Sequence, residues 1–280
     1  MPMRLAALFL LLPLAAMAED AAPSPVTSLA IDENTTVAIA TVEATHTDIL
    51  AVIVDGELVW SQAAFILQFG APPGQDIAPG TDITGSGVPE LLISEYSGGA
   101  HCCTTYYVFA FEPFFRRLAV IPTLDAGARF EDLDGKPGLE VITADMTFAY
   151  WNTYYAASPK PRVVLAWTGA DYVAAPELMA APPPSPEALA SQAAEIAASD
   201  QWTPDQLDPD LWREMLELIY SGHGDLAWSF LEAAWPSGRD GQEAFRAAFL
   251  CQLATSPWWP ALSAMNGLDA PPAGCATEPS

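Results

Sequence analysis

The sequence predicts an α+β chain, in which an all-β antiparallel region, propeller-like or sandwich, precedes a small α-helical domain. Three observations lead there. Short runs of alternating β-branched residues separated by turn signals fill the chain as far as residue 179. Within them the nonapeptide Asp82-Ile83-Thr84-Gly85-Ser86-Gly87-Val88-Pro89-Glu90 returns fifty residues later as Asp132-Leu133-Asp134-Gly135-Lys136-Pro137-Gly138-Leu139-Glu140, each time followed by an apolar strand. Beyond the proline-rich stretch 180–186, the composition changes to alanine, leucine and tryptophan with helix-capping residues.

Taken in order, Arg4, the apolar run Leu5–Leu14 and the small residues Ala16 and Ala18 read as a secretory signal peptide over 1–18. No cysteine follows Ala18 to carry a lipid anchor, and no apolar run is as long as the roughly twenty residues a bilayer-spanning helix needs. The expected location is therefore the periplasm or the exterior, with no membrane insertion of the mature form. The β region is expected over 19–179. Its strands are Thr36–Val42, Leu50–Val54 and Glu57–Trp60, the last two joined by a type I′ turn at Asp55-Gly56, followed by Phe65–Phe69. Leu91–Ser94 and Thr104–Phe111 follow the first nonapeptide, and Thr143–Tyr155 and Arg162–Trp167 follow the second.

The linker is 180–186 and the helical domain 187–280. There, Pro186 leads a helix through Ser199, and Asp208-Pro209 caps another that ends before Gly222. Asp240 and Glu243 form a capping box, and Ser256-Pro257 opens the last helix, closed by Asn266-Gly267. Leu211, Trp212, Met215, Leu216 and Ile219 share one helix face, and Phe245, Phe249 and Leu253 share another.

Thirty-five acidic residues against ten basic ones give a net charge of −25. Nucleic acids and anionic lipids are polyanions, so this balance argues against both as partners. It leaves an envelope protein or a glycan as the expected partner.

The nonapeptides have the makings of a cation loop. Oxygen side chains at places one, three and five, a carbonyl at seven and a carboxylate at nine surround a hard cation such as calcium, which takes six to eight oxygens. The first loop offers Asp82, Thr84, Ser86, the Val88 carbonyl and Glu90; the second offers Asp132, Asp134 and Glu140. This pattern resembles the FG-GAP and VCBS repeats of integrin-type β-propellers, whose repeat centres on D-x-D-G-D-G-x-x-D followed by a strand. The resemblance covers both loops and their strands, and it implies calcium-type loops in a non-enzymatic binding or scaffold module. Two departures stand out: hydroxyls replace carboxylates at Thr84 and Ser86, and Lys136 brings an ammonium to place five.

The cysteines fall as Cys102 with Cys103 and Cys251 with Cys275. In an oxidising compartment their locality favours a vicinal bridge and a bridge tying the tail to the last helices, with pairing across the two groups open. The alternative function is an envelope hydrolase or a thiol-redox protein, using a carboxylate pair such as Glu90 with Glu140 or the His101, Cys102 and Cys103 segment. His101 and Cys103 share a face if the segment is a strand, but a bridged sulfur is no nucleophile. Motifs for serine hydrolases, zinc proteases, nucleotides or dinucleotides are missing from the sequence, so the balance of the reading is against an enzyme.

Overall fold

The computed structural model describes residues 26–71, 75, 77–101 and 103–275. The expected signal peptide, 1–18, and Cys102 with its expected bridge to Cys103 lie outside the described residues. The chain is α+β: among the described residues, twelve strands form three four-stranded antiparallel sheets ahead of the helices, and no sheet closes into a barrel.

Each sheet is a meander whose strands neighbour one another in chain order. The first comprises β1 (Val26–Ala30), β2 (Thr35–Val42), β3 (Thr47–Val54) and β4 (Glu57–Ala64). β5 (Ile66–Phe69), β6 (Glu90–Tyr96), β7 (Thr104–Ala110) and β8 (Arg116–Leu124) make the second. The third holds β9 (Arg129–Glu131), β10 (Glu140–Ala144), β11 (Arg162–Trp167) and β12 (Tyr172–Ala174). Among the described residues six α-helices follow: α1 (Pro176–Met179), α2 (Pro186–Ala197), α3 (Pro209–Tyr220), α4 (Gly224–Ala234), α5 (Gln242–Leu253) and α6 (Trp259–Asn266).

The described residues divide into two compact units: those up to Ile83 with Gly87–Asp125, and Thr84–Ser86 with those from Ala126 onward. The sequence places its boundary at 180–186, whereas this division falls near Asp125 and leaves the third sheet with the helices.

In the first unit, strand alternation decides the core. Val37 lies opposite Val52 and Ile39 opposite Leu50 in the first sheet, while Leu91 faces Phe109 and Ile93 faces Tyr107 in the second. Because side chains two apart point the same way, these four pairs form two apolar faces, which meet in one core with Leu67. Two polar ties fix the sheets. The buried carboxylate of Asp48 on β3 accepts the Leu67 amide at 2.8 Å and the Thr41 hydroxyl at 2.8 Å. Gln62 on β4 donates to Glu95 and to the Tyr107 hydroxyl, which itself donates to Glu95 at 2.8 Å. The Asp55-Gly56 turn has φ of 53° and 81°, the left-handed pair that a type I′ hairpin requires.

In the second unit the expected strand Thr143–Tyr155 is shorter: β10 stops at Ala144. Asp145 ends it by accepting the Thr147 amide at 2.7 Å, an Asx-type turn, and Tyr150 and Asn152 take positive φ in the coil beyond. That coil sends Phe148 and Trp151 into an aromatic cluster with Trp212, Phe245 and Phe249 of α3 and α5. Asp208 caps α3 through the Asp210 amide, with Pro209 at the first helical position, and Gly222 follows its end at φ 90°. The expected Asp240–Glu243 capping box is replaced: Gly241 at φ 98° is the cap residue of α5 and has no side chain to offer. Cys251 and Cys275 form the expected bridge, Cα atoms 5.2 Å apart.

Candidate functional site

Both acidic nonapeptides occupy the same place in a meander, the connection from its first strand to its second. Each is pinched at its base by an antiparallel pair, Thr81 with Glu90 and Glu131 with Glu140. Glu90 and Glu140, at place nine, are therefore the first residues of β6 and β10, and both are buried. The glycine at place four, Gly85 or Gly135, has φ of 70° or 74°, a left-handed kink that turns the chain back within nine residues.

The second loop is held from within. The Asp132 carboxylate accepts the Gly135 amide at 2.7 Å, Asp134 accepts the Lys136 amide at 2.9 Å, and Glu140 accepts the Leu133 amide at 2.7 Å. One carboxylate oxygen from each of the three lies within 4.8 Å of the others, the spacing of a ligand set. The Lys136 ammonium, however, sits 2.6 Å from Asp134. Its hydrogen bond holds the Asp134 carboxyl below the usual range, and Asp134 in turn raises the Lys136 ammonium, with smaller contributions from Glu177 and Glu140. A cavity of about 280 Å³ adjoins the loop, lined by Asp134, Lys136 and Glu140 together with Trp167 and Glu177. Lys136 thus brings a cation to the place where a calcium loop has its fifth-position oxygen, beside a carboxylate set that could hold a metal ion.

The first loop is engaged differently. Asp82 Oδ2 accepts the Gly87 amide at 3.0 Å, but its Oδ1 is buried and meets no donor among the described residues. A buried carboxylate oxygen without a partner is expensive, and a bound cation is one way to satisfy it. Thr84 is buried and Ser86 exposed. Thr84 and Gly85 pack with the second loop: a Cβ on Gly85 would stand 2.2 Å from the Pro137 carbonyl oxygen, and one on Gly138 would stand 3.0 Å from the Gly85 nitrogen and from the Thr84 carbonyl carbon. Backbone meets backbone there, so both positions require glycine.

No family model, curated protein or solved structure matches the chain.

His101 and Cys103 lie in the turn between β6 and β7, where the Cys103 amide donates to the Ser97 hydroxyl at 3.0 Å. Glu140, offered with Glu90 as a carboxylate pair, accepts the Leu133 amide through one oxygen. The sequence reading missed a third arrangement. Asp145, 2 % exposed, accepts the hydroxyls of Tyr220 and of Ser256, the latter at 2.5 Å, besides the Thr147 amide. Burial first, then the neighbouring charge of Asp145, pushes the Tyr220 phenol well above its usual value. These groups join the end of β10 to α3 and to the turn after α5, which is a structural tie. Its one sequence signal was an aspartate at the end of an apolar strand run.

Proposed function

We propose that the chain is a non-enzymatic binding or scaffold module of the FG-GAP and VCBS type, working in the periplasm or outside the cell. Its acidic nonapeptides serve as joints that fix the first two strands of a sheet. The observation that carries this reading is the contrast between the loops. Every carboxylate of the second is engaged by its own amides, with Lys136 as a built-in cation, so it stands without metal. The first leaves Asp82 Oδ1 for an external cation, with Glu90 at the other end of the same nonapeptide. Calcium suits that oxygen set, and with few carboxylates its affinity falls in the millimolar to submillimolar range of extracellular modules. Bound there, it would neutralise buried acid and stiffen the joint; it has no role in any reaction.

The test is thermal unfolding with and without calcium. At tenfold excess over Kd a ligand adds about 1.4 kcal/mol, or about 3–6 °C for a protein of this size. Wild type should show that rise and Asp82→Ala should not. A wild type indifferent to millimolar calcium, or an equal rise in Asp82→Ala, defeats the reading.

A further inference from the structure

The geometry points to a second binding surface, in the first unit: a groove that takes a basic, apolar peptide segment of a partner protein. It shares no residue with either acidic nonapeptide, so its test is independent of calcium. The groove has a volume of about 630 Å³, within the range of sites that hold ligands. One wall is apolar and open to solvent. Phe114 is 66 % exposed and Val59 is 49 % exposed, while Phe115 forms the half-buried floor where it stacks on Phe109 of the core. The groove is also lined by acidic residues, which form its polar rim: Asp32 and Glu33 in the turn from β1 to β2, and Asp55 in the turn from β3 to β4.

The turn is built to keep that rim in place. Asp32 Oδ1 accepts the amides of Asn34 and Thr35, both at 2.7 Å, and the Asn34 bond chiefly holds the Asp32 carboxyl below its usual range. Arg116 donates to the carbonyls of Glu112 and Phe114, and its guanidinium lies over the Phe114 ring, 5.7 Å from the centroid. Charge complementarity chooses the occupant. A peptide that lays an aromatic or aliphatic side chain against Phe114 and Val59 and turns an arginine or lysine to the rim satisfies both walls at once. A second copy of this chain, itself at −25, brings the wrong charge.

The experiment is fluorescence anisotropy with a fluorescein-labelled, end-capped arginine–phenylalanine–arginine–leucine peptide on the full chain at physiological ionic strength. Two relatives of the probe serve as controls, one with serine for its apolar residues and one with glutamate for its arginines. We expect the parent peptide to bind wild type. Phe114→Ser and the double change Glu33→Gln with Asp55→Asn should each weaken it about tenfold, the size of one interface anchor. All three positions are exposed and Asn suits a left-handed turn, so both variants should melt as wild type does. The serine peptide should lose about as much. Three results overturn the inference: equal binding of the parent peptide by both variants, which is general attraction of a basic peptide to an acidic protein; no binding by wild type; or concentration-dependent dimers that Phe114→Ser abolishes, which makes a second copy the occupant.

Discussion

Replacing Asp145 with alanine should be among the most damaging single changes in the second unit. The carboxylate accepts three hydrogen bonds, from the Tyr220 hydroxyl, the Ser256 hydroxyl and the Thr147 amide, and all three side chains of the cluster are at least nine-tenths buried. Truncation leaves those donors to find water that is not there, at about 1–3 kcal/mol for each that stays unpaired. With two buried hydroxyls and one amide losing their acceptor, the total comes to about 3–5 kcal/mol, or a fall of about 6–20 °C in melting temperature at this chain length. Tyr220→Phe removes one donor and leaves the carboxylate with Ser256 and Thr147. It should therefore cost about 1.5–3 kcal/mol, the range for a hydrogen bond to a charged group. Because Tyr220 and Ser256 share one oxygen, Tyr220→Phe and Ser256→Ala should couple by more than about 0.5 kcal/mol. The assay is thermal and urea unfolding followed by near-ultraviolet circular dichroism, which reads the tryptophans packed around Phe249. An Asp145→Ala protein within about 1 kcal/mol of wild type would refute the reasoning, since the cluster would then not join sheet to helices.

Other consequences follow from the same physical terms. Tyr220 keeps its proton in the folded state above the pH at which the unfolded phenol, near 10, loses it. Its contribution is thus complete below about pH 10 and is lost as pH rises further, so the alkaline decline measured by denaturant titration should be shallower in Tyr220→Phe. Removing the Cys251–Cys275 bridge by a double serine substitution frees a loop spanning 24 positions and should cost about 3 kcal/mol; a melting temperature lowered by less than about 2 °C would show that the tail is held by other means. Gly85→Ala should lose more than about 2 kcal/mol by urea unfolding, since it adds a collision with Pro137 to the cost of a left-handed residue. Gly87→Ala, with the same positive φ but open space around its Cβ, should lose only about 1 kcal/mol.

The fold was legible where one periodicity or one special residue decides the structure. Alternation at Val37, Ile39, Leu50 and Val52 marked the first core face, Asp55-Gly56 the hairpin, and Asp208-Pro209 the start of α3, because each acts over a few residues. Three things were hidden. The run from Thr143 to Tyr155 has strand composition, yet one buried aspartate turns the chain out of the sheet and hands Phe148 and Trp151 to the helices. Asp240 has the spacing of a capping residue, but Gly241 takes the cap at a left-handed φ. The proline-rich stretch marks a change of composition, while the compact units are set by tertiary pairing, in which β11 packs with α1 and α3. At the loops, place one to place nine could be read from the spacing. What spacing could not give is which oxygens are engaged: Asp82 Oδ1 without a donor among the described residues, and Asp134 paired with Lys136.

Calorimetric titration of calcium into wild type and Lys136→Asp tests most directly whether the two nonapeptides are equivalent calcium-type joints, one of them closed by its own ammonium. Wild type should bind one equivalent, and Lys136→Asp, which turns the place-five cation into an oxygen ligand beside Asp132, Asp134 and Glu140, should bind two. Zero equivalents in both proteins, or the same number in each, would contradict the account.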